Sequence, residues 1–258
     1  MSTPTSGRPT PEQAAAWLER WDRQQEHYMP DREERFAALL DVVVDVVSRP
    51  DPLVVDLGIG PGSLAHRLLD RLPEARVVGV DADPLLLALG NLARPDDRLR
   101  TVLADLRDDG WYDCLGLDRA PDVFVSSTAL HWMDVDDLRA LLARCAQEVA
   151  PGGLLVDADH LYEGESGPRL DALARRMTVR RAQRAGTRGH EDWEEWWSAV
   201  ERAPELAALV AERAGGFVHV VERRATVRDW VDLLLASGFA EAGTLWQYGD
   251  DRVVVGLA

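Results

Sequence analysis

The sequence predicts an α/β fold: a doubly wound, mostly parallel sheet flanked by helices and ending in an antiparallel hairpin. Three observations predict it. Short apolar runs recur at 53–57, 76–80, 99–103, 122–126 and 153–158, with helical patterns between them. The first run, Leu53-Val54-Val55-Asp56-Leu57, enters Gly58-Ile59-Gly60-Pro61-Gly62 and then the helical spacing of Leu64, Leu68 and Leu69. After Gly238, residues 240–248 and 252–257 flank Gly249-Asp250-Asp251, which reads as a hairpin at the sheet edge.

Thr10 opens the first helix as N-cap, with Pro11 at its first turn and Gln13 closing a capping box. Trp17, Trp21, Gln24 and Tyr28 then share one helical face. Pro30-Asp31 begins a second helix whose apolar stripe is Phe36, Leu39, Leu40, Val43 and Val44. Residues 1–48 form an N-terminal helical segment ahead of the first strand. Strand, glycine turn and helix follow, the shape of a nucleotide-binding βα unit. Glycines suit that turn because the backbone bends sharply and a ligand must approach it with no Cβ in the way. The run Val77-Val78-Gly79-Val80 ends at Asp81, where an acid can take both hydroxyls of a ribose. Residues 99–103 lead to Ala104-Asp105-Leu106, placed to meet an adenine edge.

Residues 160–225 interrupt the alternation between the fifth strand and the last helix. Pro168 starts a helix with Leu170, Leu173, Ala174 and Met177 on one face, and Gly186 and Gly189 break it. A second helix carries Trp193, Trp196, Trp197 and Val200 at helical spacing. In such a sheet, ligands sit beyond the carboxyl ends of the strands, where this insertion also lies. It is expected to act as a lid, helped by the N-terminal helix, on a single domain spanning 1–258.

The glycine spacing is G-x-G-x-G rather than the dinucleotide G-x-G-x-x-G, and Asp56 precedes it. A carboxylate there repels a pyrophosphate and suits a cationic ligand, which argues against a nicotinamide oxidoreductase. Three acids thus outline a nucleoside site with no phosphate demand. S-adenosylmethionine fits: it carries adenine, ribose, a sulfonium and an amino group, and no phosphate.

On these residues the chain resembles the class I S-adenosylmethionine-dependent methyltransferases. Residues 56–62, Val78-Gly79-Val80-Asp81 and Ala104-Asp105-Leu106 look like the first three motifs of that family. The stretch Phe124-Val125-Ser126-Ser127-Thr128-Ala129-Leu130-His131-Trp132 looks like the fourth, in the style of the trans-aconitate-type small-molecule branch. Val149-Ala150-Pro151-Gly152-Gly153 resembles the turn into strand five. The resemblance covers about residues 30–160 and 225–258, and the segment between them matches no motif. It implies a Rossmann-like, seven-stranded sheet. It also implies cofactor contacts from Asp56, Gly58, Gly60, Gly62, Asp81, Ala82, Asp105, Leu106, Ser126 and His131, with Tyr28 closing over the ligand.

The implied activity is methyl transfer to oxygen, nitrogen or carbon of a small molecule, in bacterial specialised metabolism. A protein that binds the cofactor without transferring methyl, for instance to template a cyclisation, is the alternative. Methyl transfer is an in-line displacement from an activated donor, so alignment and exclusion of water come first. A base is needed only if the acceptor holds its proton at pH 7. His131, after the fourth strand, is the foremost candidate, because imidazole titrates near neutrality. It can equally pack against the cofactor or order its loop. His160 and Glu163, in a polar cluster with Asp159 and Tyr162 after strand five, are the other catalytic candidates. His131, Asp159 and His160 could hold an octahedral metal. However, the related metal-dependent enzymes carry an acid after strand four, where Ser126, Ser127 and Thr128 stand here, so no metal is expected.

The net charge of −16 argues against nucleic-acid partners and an anionic membrane surface. No apolar run approaches a bilayer span, and residues 1–10 lack a secretion signal. Two cysteines, Cys114 and Cys145, are too few for a disulfide framework, so a reducing cytoplasm is expected; the oligomeric state, monomer or homodimer, stays open. All 29 basic residues other than histidine are arginine, a composition read as codon bias in a GC-rich genome. The absence of lysine excludes Schiff-base chemistry. Arg175, Arg176, Arg180, Arg181, Arg184 and Arg188 concentrate positive charge, either for an acidic substrate or as a solvated face paired with Glu191, Glu194 and Glu195. The tryptophans of the two covering segments either shape a cavity for a planar or prenyl-like substrate or glue those segments together.

Overall fold

The computed structural model describes residues 7–187, 189–213 and 221–258. Helices α1 (Pro11–Tyr28) and α2 (Arg32–Val46) precede the sheet. Then come β1 (Leu53–Leu57), α3 (Ser63–Arg71), β2 (Arg76–Asp81), α4 (Pro84–Ala93), β3 (Leu99–Leu103), α5 (Trp111–Cys114), β4 (Val123–Ser127), α6 (Val135–Glu148) and β5 (Leu154–His160). Three helices follow, α7 (Pro168–Ala185), α8 (Trp193–Arg202) and α9 (Ala207–Arg213), and then α10 (Val227–Ser237), β6 (Glu241–Tyr248) and β7 (Asp251–Leu257).

The sheet order is β3-β2-β1-β4-β5-β7-β6, with β7 antiparallel to both β5 and β6 and the other pairs parallel. The chain leaves β1 toward one edge and later returns to β1's other side as β4, so the switch point lies between these two strands. All five residues of β1 are buried, as a central strand covered on both faces requires. Edge strand β6 instead carries a bulge between Thr244 and Trp246 and exposes Leu245, a common device for blunting an edge.

Alternation along the strands builds two cores. Leu57, Phe124, Leu155 and Val254 pack with Trp230 of α10 and Leu138 of α6 on one face. Val54, Val125, Val156 and Val253 pack with Phe36, Leu39 and Val43 of α2 on the other. A third cluster lies outside the sheet: Trp17, Trp21, Leu85, Leu89, Trp196 and Leu206 join α1, α4, α8 and the turn before α9. Trp196 is fully buried there and meets the rings of Trp17 and Trp21 edge-on, at 5.9 and 5.0 Å between centroids.

The predicted capping box of α1 is present, with Thr10 and Gln13 each accepting the other's backbone N–H. The stripe predicted on α7 turns outward: Leu170, Leu173 and Met177 are exposed. That helix is held by polar groups instead. Asp171 accepts the N–H groups of Glu163 and Gly164 at 2.8 and 3.0 Å. Buried Arg181 pairs with Asp31 and lies 4.1 Å over the Tyr248 ring. The run of arginines is therefore not one solvated face. Arg184 donates to Tyr248, Glu191 pairs with Arg20 rather than with α7, and Arg188 lies outside the described residues.

Candidate active site

A cavity of about 980 Å³ opens at the carboxyl ends of β1, β2 and β4 and runs beneath α1, α7 and α8. That volume is at the upper end of the range for small-molecule sites. It is lined by the glycine loop, the acids after the strands, and side chains of the covering helices.

The loop after β1 is built by left-handed glycines. Gly58, Gly60 and Gly62 have φ of +72, +54 and +91°. At Gly58 even the space is closed, since a Cβ would overlap that of Ala129. The Gly60 N–H donates to Asp81 Oδ2 at 2.7 Å, and the Asp83 N–H to Asp81 Oδ1 at 2.8 Å. Asp81 is thereby fixed at the end of β2, with lone pairs left to accept hydroxyls. Burial pushes its pKa up to about 6, although these backbone donors act the other way.

Asp56 is 1% exposed, and its Oδ2 has no hydrogen-bond partner. Burial, and then the Asp81 charge, push its pKa up to about 8. The three acids read from the sequence thus sit in unlike environments: burial favours the protonated form of Asp56 and, less strongly, of Asp81, while Asp105 is ion-paired with Arg107. A buried acid oxygen without a partner, beside a cradle that no Cβ enters, suits the cationic end of S-adenosylmethionine.

Asp56, Gly58, Gly60, Asp81, Ala82, Asp105, Leu106, His131 and Tyr28 all line the cavity. Gly62 does not; it is the N-cap of α3. Ser126 is buried on β4 and its neighbour Ser127 lines the cavity instead, because successive side chains on a strand face opposite sides. The Tyr28 hydroxyl accepts the Trp193 N–H at 3.2 Å and so ties α1 to α8.

The chain beyond β4 turns through Thr128, a non-glycine residue with φ of +55°. Arg35, fully buried on α2, holds this turn: it donates to Ser127 Oγ at 3.0 Å and pairs with Asp251 at 3.0 Å. A short 3₁₀ turn then presents His131. Its Nδ1 lies 2.9 Å from both oxygens of Asp159, and its N–H donates to Asp159 Oδ2 at 3.3 Å. Asp159 also accepts the His160 N–H at 2.7 Å. Burial alone would raise the Asp159 pKa, but the His131 ring, with His160 and Arg35, holds it below the usual carboxylate value. Its neighbour Asp157, also fully buried, is pushed well up by burial and by the Asp159 charge, so the proton of this pair resides on Asp157. An ionised Asp159 accepts from Nδ1–H and leaves Nε2 of His131 as the ring's free lone pair.

His160 lines the cavity too, but its Nδ1 lies 3.4 Å from Asp250 Oδ2. Burial favours its neutral form, yet Asp250 and Asp251 raise its pKa above the ordinary value. Glu163 is not part of the wall; it pairs with Arg252 at 2.7 Å. The two histidines thus turn to different carboxylates. Among the described residues, no group of three or more His, Cys, Asp or Glu side chains converges on a point that could hold a metal.

Sequence reasoning missed Arg213. Its Nε pairs with Asp83 at 2.6 Å, and its guanidinium lies 4.0 Å over the Trp197 ring, inside the cavity wall. No periodicity or motif marks it.

Residues 54–153 match the family described as Methyltransferase domain. The trans-aconitate 2-methyltransferase of Methylobacterium nodulans is 29% identical over 234 residues, covering 86% of this chain and 85% of the relative. The protein of the same name from Azoarcus sp. is 33% identical over 52% of this chain and 49% of its own length, so the chain spans about half of that relative. Among solved structures, human N-acetylserotonin methyltransferase in complex with SAM superposes with a TM-score of 0.54 at 17% identity, over 98% of this chain and 63% of that one. The N-methyltransferase NodS from Bradyrhizobium japonicum superposes with a TM-score of 0.51 at 14% identity, over 88% and 95%. These two likenesses speak to the fold, and the sequence matches speak to the glycine loop and the acids around it. Together these matches support a class I S-adenosylmethionine-dependent methyltransferase.

Proposed function

We propose that the chain methylates a hydroxyl-bearing small molecule in bacterial specialised metabolism, with His131 as general base and Asp159 as its positioning residue. The observation that carries this reading is the contact between the His131 Nδ1 and a wholly buried, ionised Asp159. The relatives named for trans-aconitate suggest small organic acids as acceptors. A carboxylate nucleophile needs no base, and the held imidazole favours a nucleophile that still carries its proton.

Asp56, the glycine loop, Asp81 and Asp105 would hold the cofactor. When bound, S-adenosylmethionine supplies an activated methyl group. The chain's own residues then align the acceptor, exclude water and take its proton at His131 Nε2, while Asp159 stabilises the imidazolium that forms. The acceptor oxygen gains the methyl carbon and the sulfur–carbon bond breaks, giving a methyl ether and S-adenosylhomocysteine. The segment 160–225 serves as the lid, since α7, α8 and α9 all contribute to the cavity wall.

The test is S-adenosylhomocysteine release from S-adenosylmethionine across a panel of phenols, hydroxy acids, amines and plain carboxylates. Hydroxyl acceptors should turn over, and His131→Ala should lower kcat by roughly 10²–10⁴ with cofactor affinity unchanged. Turnover confined to plain carboxylates, or an unimpaired His131→Ala enzyme, would refute the reading.

A further inference from the structure

We propose that Arg175 and Tyr162 form an anion subsite that grips a carboxylate of the acceptor, apart from the hydroxyl that is methylated. This rests on reading His131 as the reacting end of the same cavity.

Among the described residues four arginines line the cavity, and three are already neutralised: Arg32 by Asp22 at 2.5 Å, Arg107 by Asp105, and Arg213 by Asp83. Arg175 has no carboxylate partner among the described residues. In a chain with 45 acidic side chains to 29 arginines, a cation left unpaired on a cavity wall is not a matter of short supply. Beside it stands Tyr162, half-buried and within the electrostatic reach of Arg175 and Arg224. Burial, and then Asp250 and Asp159, push its phenol up to about 12, so the hydroxyl stays a donor at neutral pH. No hydrogen-bond partner for that hydroxyl exists among the described residues. Arg224 lies 5.8 Å over the ring of Trp132, which is itself part of the wall. It too lacks a carboxylate partner among the described residues.

The nearby acid, Asp250, is engaged: Thr178 donates to it at 3.2 Å, and His160 lies against its other oxygen. The subsite is also built rather than floppy. Asp171 caps the turn between Tyr162 and α7, and Thr178 ties α7 to Asp250 one turn beyond Arg175. What remains at this part of the wall is therefore a pair of donors, the Arg175 guanidinium and the Tyr162 hydroxyl. A guanidinium fork matches a carboxylate with two parallel hydrogen bonds, and an amide of the same shape cannot reproduce them.

The experiment uses the full chain loaded with S-adenosylhomocysteine. The probes are 4-hydroxybenzoate, 4-hydroxyphenylacetate and 4-hydroxycinnamate, each against its own amide, followed by calorimetry and thermal shift. At least one acid should bind about tenfold tighter than its amide, the usual worth of a charged hydrogen bond. Arg175→Gln should erase that preference and Tyr162→Phe should weaken it. Arg176→Gln, exposed on the same helix and outside the wall, should keep it and so controls for folding. Equal binding of every acid and amide, no acid binding at all, or a preference that survives Arg175→Gln would overturn the subsite. The two readings separate cleanly. Turnover of the hydroxy acids that is indifferent to Arg175→Gln leaves methyl transfer standing and removes the subsite. Acid-selective binding with no S-adenosylhomocysteine released from any acceptor does the reverse.

Discussion

Asp56→Asn should make the protein more resistant to high pH and, at the same time, poorer at holding its cofactor. Asp56 is buried with an unpartnered oxygen, and its pKa of about 8 stands far above the 3.8 of an ordinary aspartate. Between those two values the folded chain keeps a proton that the unfolded chain releases. Stability therefore falls as pH rises, by about 1.4 kcal/mol per pH unit from this one group. Above the folded value the whole penalty is in force; below about 4 there is none. The isosteric amide has no proton to lose, so the variant's advantage should grow by roughly 2 kcal/mol between pH 6 and 7.5. For a chain of this length that corresponds to a Tm difference widening by about 4–8 °C. Thermal unfolding of both proteins without cofactor, at the two pH values, measures it. The same chemistry has a second readout. At pH 7 most Asp56 is protonated, and a cation bound beside it should draw out close to one proton. Calorimetry of S-adenosylmethionine binding in phosphate and in Tris should show that release for the native chain, and less of it for Asp56→Asn. An advantage that does not change with pH, together with equal proton release by both proteins, would refute the argument.

Gly58→Ala should abolish cofactor binding and lower stability, because it combines a left-handed φ with a Cβ that overlaps Ala129; a binding titration and a melting curve check it. Arg35→Met should cost about 3–5 kcal/mol in denaturant unfolding, since it leaves buried Asp251 only the more distant Arg181, at 3.7 Å, and frees the turn at Thr128. Trp196→Ala should cost a similar 3–5 kcal/mol, because this fully buried ring joins α1 to α8. Asp159→Asn should lower kcat by at least about tenfold with a small change in KM, because an amide can satisfy the wrong tautomer of His131; initial-rate kinetics separate the two constants.

Much of the sheet was legible because buried strands are apolar runs bounded by turn residues. The predicted 53–57 and 99–103 coincide with β1 and β3, while β4 and β5 are displaced by one residue or extended by up to two. The α1 cap was legible because its chemistry is local, three residues from Thr10 to Gln13. The outward stripe of α7 was not. Periodicity reports an apolar face without saying what lies opposite, and here buried Arg181, paired with Asp31, fixes the helix the other way round. Arg213 was invisible for the same reason, as its partners Asp83 and Trp197 meet only in three dimensions. The burial that raises the Asp56 pKa was not legible, because sequence reports residue type and not environment.

Aspartate does four different jobs in this site, and environment alone separates them. Asp81 is spanned by backbone N–H groups and holds the loop to the end of β2. Asp56, one strand over, has an oxygen with no hydrogen-bond partner among the described residues, and burial raises its pKa. Asp157 and Asp159 sit two residues apart on one face of β5, where two charges cannot coexist in the core. His131 breaks the tie by giving its Nδ1–H to Asp159, which leaves the proton on Asp157. The ionised member of that pair is therefore chosen by the same contact that orients the imidazole. Removing His131 should shift the Asp157–Asp159 proton as well as remove a ring from the cavity. The proposed base and its carboxylate are best regarded as one hydrogen-bonded unit, set into the sheet before any acceptor arrives.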